Sequence, residues 1–246
     1  MNENNYLGPN DLELLRLVVT TFNKYDINFW LDQGSLLGAV RDNAFFYWDH
    51  DIDLGTWINN KSLIREAALD LMRHNAIVKF LPYTINIKRN KSEKVIDIRL
   101  YKKINNFAVA ELHSTTLKNK KRRKKRILNI KKILQNIRNL TINNILKLNT
   151  KTLYHINKNI SLFLLKYTEF LEHRNEKYKD MLVIFRVDAH YFENLRDIRV
   201  YDLDLKVPEY TQSYLKLKYG QDWMVPKKDW QYWKHDGALY KVIYKS

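Results

Sequence analysis

The stretch WLDQGSLLGAVRDNAFFYWDHDIDLG, residues 30–55, decides how the rest of this chain is read. It leads from a small-residue turn, Gly34-Ser35, to three acids at every second position, Asp49, Asp51 and Asp53. Side chains of an extended strand alternate between faces. The spacing therefore predicts the three carboxylates on one face and His50, Ile52 and Leu54 as apolar backing on the other. Aspartate is a poor strand former and like charges on one face repel, so stability does not explain the pattern. A hard divalent cation, Mg²⁺ or Mn²⁺, would resolve the conflict by taking carboxylate and substrate phosphate oxygens into one coordination sphere. The bland alternative, acids capping a loop that faces water, leaves the alternating apolar residues without a purpose.

Upstream, Ile27–Leu31 reads as a short strand and Leu36–Arg41 as a short helix. Backbone N–H groups at a helix start suit phosphate oxygens, and Gly34, lacking a Cβ, lets a ligand approach closely, with Ser35 beside it. Arg41 either adds a fixed charge for the same phosphates or pairs with Asp42. Asp32 either binds substrate or metal or orients the turn. Asp49 supports the ligands, or becomes one if the strand bends. Further upstream, residues 10–25 predict an amphipathic helix with Asn10 as its N-cap and Glu13 three positions on.

Downstream, Ser62–His74 predicts a helix, followed by strands at Ile77–Leu81, Tyr83–Arg89, Val95–Tyr101 and Phe107–Leu112, whose short connections favour antiparallel pairing. In Val95–Leu100, Asp97 faces away from Ile96, Ile98 and Leu100. It reads as a metal ligand or as a general base for an attacking hydroxyl, the plainer reading being a pair with Arg99. Lys88 and Arg99 are candidates to neutralise phosphates, or are solvent-facing strand residues. Beyond residue 180, residues 182–187 predict a strand, Arg199–Val207 a resumed alternation, and Pro208 the start of a helix ended by Gly220. Trp223, Trp230, Tyr232 and Trp233 form an aromatic cluster, suited to a base or sugar pocket or to a core or lid.

The net charge of +16 belongs to one segment. Residues 112–168 hold fifteen lysines and arginines and no acid, and from Ile127 apolar residues recur at helical steps. This predicts a cationic amphipathic helix for an anionic membrane surface, in preference to nucleic acid, with packing on the core as the alternative. The absence of cysteine excludes disulfides and thiolate metal sites. With no run long enough to span a bilayer and no signal peptide at the start, the expected location is cytoplasmic, peripheral at the inner face of the membrane.

The run Trp30-Leu31-Asp32-x-Gly34-Ser35-Leu36-Leu37-Gly38-Ala39-Val40-Arg41, followed by Trp48-Asp49-x-Asp51-Ile52-Asp53, resembles the signature of the LicD/fukutin family within the nucleotidyltransferase-fold superfamily. Residues 207–226, VPEYTQSYLKLKYGQDWMVP, resemble that family's C-terminal block. The resemblance implies an α+β fold, a nucleotidyltransferase-like mixed, largely antiparallel sheet flanked by helices, here with a basic helical insertion. With the basic segment read as an insertion that owes nothing to the family motif, the core lies at 1–117, the insertion at 118–180 and the remainder of the same domain at 181–246. The resemblance also implies Asp97 as the third carboxylate beside Asp51 and Asp53. The reaction implied is transfer of phosphocholine, ribitol phosphate or a similar group from a CDP-activated alcohol donor to a glycan acceptor at the cell surface or on a lipid carrier. The alternatives are transfer of NMP from an NTP to a small acceptor or RNA end, and a non-catalytic polyanion-binding protein on the same fold.

Overall fold

The computed structural model describes residues 7–89, 92, 94–114, 150–174 and 181–244. The basic run from Lys118 and the apolar stripe through Leu148 lie outside the described residues. The chain opens with α1 (Pro9–Lys24), which buries Leu14, Leu15, Val18, Val19 and Phe22. Pro9 rather than a side-chain cap starts this helix, and Gly8 precedes it, so Asn10 is not the N-cap. Next come β1 (Phe29–Leu31), α2 (Gln33–Arg41), β2 (Asp51–Trp57) and α3 (Lys61–Arg73). Glycine and serine at 34 and 35 do not form a separate turn. They lie in the first turn of α2, because Asp32 caps that helix by accepting from the Gln33 N–H at 2.8 Å.

Four strands follow: β3 (Ile77–Phe80), β4 (Thr84–Lys88), β5 (Val95–Ile104) and β6 (Phe107–Ser114). A long helix, α4 (Thr150–Arg174), and β7 (Met181–Asp188) come after them. The hairpin β8 (Leu195–Val200) and β9 (Leu203–Pro208), helix α5 (Thr211–Tyr219), the short α6 (Tyr232–His235) and β10 (Leu239–Tyr244) complete the order. The alternation read at Arg199–Val207 as one stretch is thus broken. Tyr201 and Asp202 both take positive φ (51° and 61°) and turn the chain back on itself. Pro208 closes β9, and the helix starts three residues later.

The fold is α+β, with a mixed, largely antiparallel sheet of order β1-β2-β5-β6-β7-β10, to which the β3–β4 hairpin adds through β4. β2 and β5 run parallel, since α3 and the β3–β4 hairpin return the chain to the same end. Ile52, Leu54, Ile85, Ile87, Ile96 and Ile98 are buried in one core with α1 and α3. His50 is exposed and does not join that backing. The described part of α4 packs on α3 and β3: Leu165 is buried, and Glu169 pairs with Lys61 and Arg65 of α3. Among the described residues no helix is long and apolar enough to cross a membrane.

Candidate active site

The opposite face of β2 and β5 carries the site. Register pairs Asp53 with Asp97 across the parallel ladder, and Asp97 with Asn86 of β4 across the antiparallel one. Paired residues share a face, so three polar side chains lie in one row. Asn86 Nδ2 donates to Asp97 Oδ1 at 2.9 Å. One step along, Gly55 pairs with both Trp30 and Arg99. A Cβ at Gly55 would lie 2.3 Å from the Trp30 indole nitrogen, so only glycine lets that ring lie across the strand.

The loop before β2 bends, and Asp49 leaves the strand that would have aligned it with Asp51 and Asp53. Its carboxylate nevertheless reaches the same place. A Cβ on Gly34 would meet Asp49 Oδ2 at 2.7 Å and Asp53 Oδ2 at 3.7 Å, so the first turn of α2 lies directly against both carboxylates. Lys94, buried and overlooked in the sequence, holds this loop. Its ammonium donates to the carbonyls of Phe46 (3.2 Å), Tyr47 (3.5 Å) and Asp49. The one signal for it was its place immediately before β5, whose first residue, Val95, pairs with Asp51.

These groups line a cleft of about 630 Å³. Gly34, Arg41, Asp49, Asp51, Asp53, Asp97 and Arg99 all face it, as do Trp223, Trp230 and Tyr232 of the aromatic cluster, but Trp233 does not. Three expected site residues stand elsewhere. Asp32 is fully buried and accepts from the hydroxyls of Tyr101 (2.6 Å) and Tyr214 (3.0 Å), so its part is structural. The Ser35 hydroxyl is taken by the Asp53 N–H at 2.8 Å and joins α2 to β2. Lys88 is exposed at the end of β4, one residue past the last β4–β5 pair, and does not line the cleft. Arg41 lines the cleft and binds Asp42 through two hydrogen bonds of 2.9 and 2.8 Å, as its plainer reading expects.

The electrostatics are unbalanced. Burial raises Asp53 well above the ordinary carboxylate range, and the charges of Asp51, Asp97 and Asp32 add to the shift against the pull of Arg99. Burial raises Asp97 to about 6, opposed by Arg99. Asp49 and Asp51 are raised by burial too, and Asp51 adds to the shift of Asp49. Arg99 keeps its charge despite burial because Tyr101, Asp32, Asp53 and Asp97 surround it, and its Nη1 is buried without a hydrogen-bond partner. Hard oxygen donors with excess negative charge fit Mg²⁺ or Mn²⁺. Among the described residues no three acids or imidazoles are grouped closely enough to hold a metal ion by themselves.

Residues 26–135 match the family LicD/FKTN/FKRP, nucleotidyltransferase domain. The ribitol 5-phosphate transferases FKRP of Homo sapiens and Mus musculus are each 40% identical over 48 residues, which make up 20% of this chain and 10% of the relative's length. Two solved structures of the antibiotic-resistance factor ANT(2″)-Ia resemble the chain distantly. One, in solution, has 15% identity and a TM-score of 0.32 over 38% of this chain and 48% of that one. The other, in complex with adenylyl-2″-tobramycin, has 14% identity and a TM-score of 0.31 over 39% of this chain and 53% of that one.

Proposed function

We propose, on the premise that residues 26–135 carry a LicD/FKTN/FKRP nucleotidyltransferase domain, that this protein is a metal-dependent transferase. It would move a phosphorylated alcohol, ribitol phosphate or phosphocholine, from a CDP-activated donor to a hydroxyl of a cell-surface or lipid-linked glycan. The observation that carries the reading is the meeting of Asp49, Asp51, Asp53 and Asp97 with the first turn of α2 in one cleft, with an unpartnered Arg99 Nη1 among them.

In this reading Asp51 and Asp53 would hold Mg²⁺ or Mn²⁺, and the bound ion would supply positive charge to the donor diphosphate. Gly34 lets the Asp49 and Asp53 carboxylates lie against the helix start, and Arg99 and Arg41 would offset the negative charge that grows on the leaving group. Bond changes balance as an in-line displacement. The acceptor oxygen bonds to the phosphorus that bears the alcohol, that phosphorus releases the bridging oxygen, and CMP departs with it. The acceptor's proton passes to Asp97, whose Oδ1 is held by Asn86 and whose Oδ2 has no hydrogen-bond donor among the described residues. Asp97 must be ionised to accept it, so turnover falls as the pH drops through the value that burial gives this group.

The test is calorimetric titration of the protein with CDP-ribitol, CDP-choline, CTP and ATP, with and without Mg²⁺, on wild type and Asp53→Ala. One CDP-alcohol should bind only with metal, and the variant should lose that binding and on the order of 10³-fold in transfer rate. Metal-dependent binding of nucleoside triphosphates alone, with NMP transferred, would overturn the reading.

A further inference from the structure

The chemistry above leaves the apolar part of the cleft mouth unused. Trp48 lines the cleft yet is 56% exposed, and Val225, which also lines it, is 59% exposed. An aromatic residue so exposed beside a charged site is informative where an isolated exposed leucine would not be. The Trp48 indole stacks on Phe46 with ring centroids 4.9 Å and planes 6° apart, and the Arg41 guanidinium lies 4.9 Å from the Phe46 ring. The backbone beneath is anchored twice. Lys94 binds the carbonyls of residues 46, 47 and 49, and the Phe45 N–H donates to the Tyr201 hydroxyl at 2.8 Å. A large flat apolar surface is thus held in place one residue from Asp49.

We propose that Trp48 is the stacking platform for the nucleobase of the donor, with Phe46 stacked against it and Arg41 against Phe46. The inference deepens the transferase reading and rests on it for the placement of the phosphates. A nucleotide places its planar base one ribose away from its phosphates. A ligand bound by both parts must therefore meet an aromatic plane and an anion site within one cleft, and here the plane at 48 is next in sequence to the acids at 49, 51 and 53. Stacking recognises the flat face that every base shares, so it selects nucleotides as a class and leaves the choice of base to other groups.

The test measures binding of CMP, AMP and inorganic pyrophosphate, each with Mg²⁺, to wild type, Trp48→Ala and Trp48→Phe. Trp48→Ala should weaken nucleotide binding roughly 5- to 100-fold while leaving pyrophosphate unchanged, and Trp48→Phe should recover most of the loss. Because Trp48 is exposed, both variants should melt as wild type does. The proposal is overturned if Trp48→Ala binds nucleotides normally, if it loses nucleotide and pyrophosphate equally, or if wild type binds pyrophosphate but no nucleotide. The two readings fail separately. Trp48-dependent binding of AMP alone keeps the platform and removes the CDP donor, whereas CDP-alcohol transfer that is indifferent to Trp48 does the reverse.

Discussion

Asp32 and Asp53 are joined by a backbone hydrogen bond of 3.1 Å, yet their carboxylates are treated in opposite ways. Both suffer burial, which opposes ionisation. Around Asp32 that cost is outweighed by Lys218, Arg99, the Tyr101 hydroxyl and the Gln33 N–H, which hold its carboxyl below the ordinary range. Around Asp53 the acidic neighbours outweigh Arg99, and its carboxyl is raised. The Ser35 hydroxyl oxygen accepts from the Asp53 N–H. The fold therefore stabilises the charge of one aspartate with donors and cations and leaves that of its neighbour opposed by burial and by other acids. A structural acid and a functional acid are told apart by their donors, not by their depth.

The comparison breaks hardest at Asp32. Asp32→Ala leaves the hydroxyls of Tyr101 and Tyr214 without their acceptor and removes a counter-charge from Arg99, all in a fully buried place. We expect a loss of about 3–5 kcal/mol in urea unfolding, the range for removing one member of a buried charged network. The sign of the pH effect follows from the depressed folded value. Asp32 contributes its stability above its unfolded value and loses it as the pH falls through the lower folded one, so the gap between wild type and variant should close in acid. A gap that stayed constant to low pH would show that ionisation of Asp32 is not what stabilises the fold.

Asp97 sharpens the contrast with the opposite sign. Its folded value, raised from 3.8 to about 6, means that the folded state holds a proton the unfolded chain has released. Between those values stability falls as the pH rises, and above about 6 the full penalty is present. Asp97→Asn keeps an oxygen for Asn86 and removes the charge. Without divalent metal at neutral pH it should raise stability by on the order of 1–3 kcal/mol while abolishing transfer. A variant less stable than wild type in the absence of metal would contradict the assignment of Asp97 to the functional group.

Much of this contrast was legible in residues 30–55 and 95–100 because alternation is local: Asp51, Asp53 and Asp97 declare their faces through Ile52, Leu54, Ile96 and Ile98. What was not legible depends on distant partners. Whether Asp32 orients the fold or touches substrate could not be separated, since its partners Tyr101 and Tyr214 stand 69 and 182 residues away. The parallel pairing that sets Asp53 beside Asp97 depends on the crossover through α3 and the β3–β4 hairpin. Asp49 kept its place at the site without the strand expected to carry it, because Lys94 and Tyr201 shape the loop. The last strand, β10, was missed because its partner β7 lies more than fifty residues upstream.

The smallest expected effect tests that loop. Tyr201 sits at the tip of the β8–β9 hairpin with φ of +51°, and its hydroxyl accepts the N–H of the buried Phe45 while the two rings meet edge to face at 5.5 Å. Tyr201→Phe keeps the ring contact and removes the acceptor, leaving the Phe45 N–H to find another. One neutral hydrogen bond contributes about 0.5–1.5 kcal/mol, so the change in unfolding free energy should stay within that range. Function should respond more than stability does, because the same N–H fixes the start of the loop that places Trp48 and Asp49. The expected signature is a higher KM for the donor at nearly unchanged kcat, since a loosened loop weakens binding without touching Asp51, Asp53 or Asp97. A fall in kcat with KM unchanged would instead mean that the loop acts in the transition state, and would move Asp49 from supporting the site to taking part in the reaction.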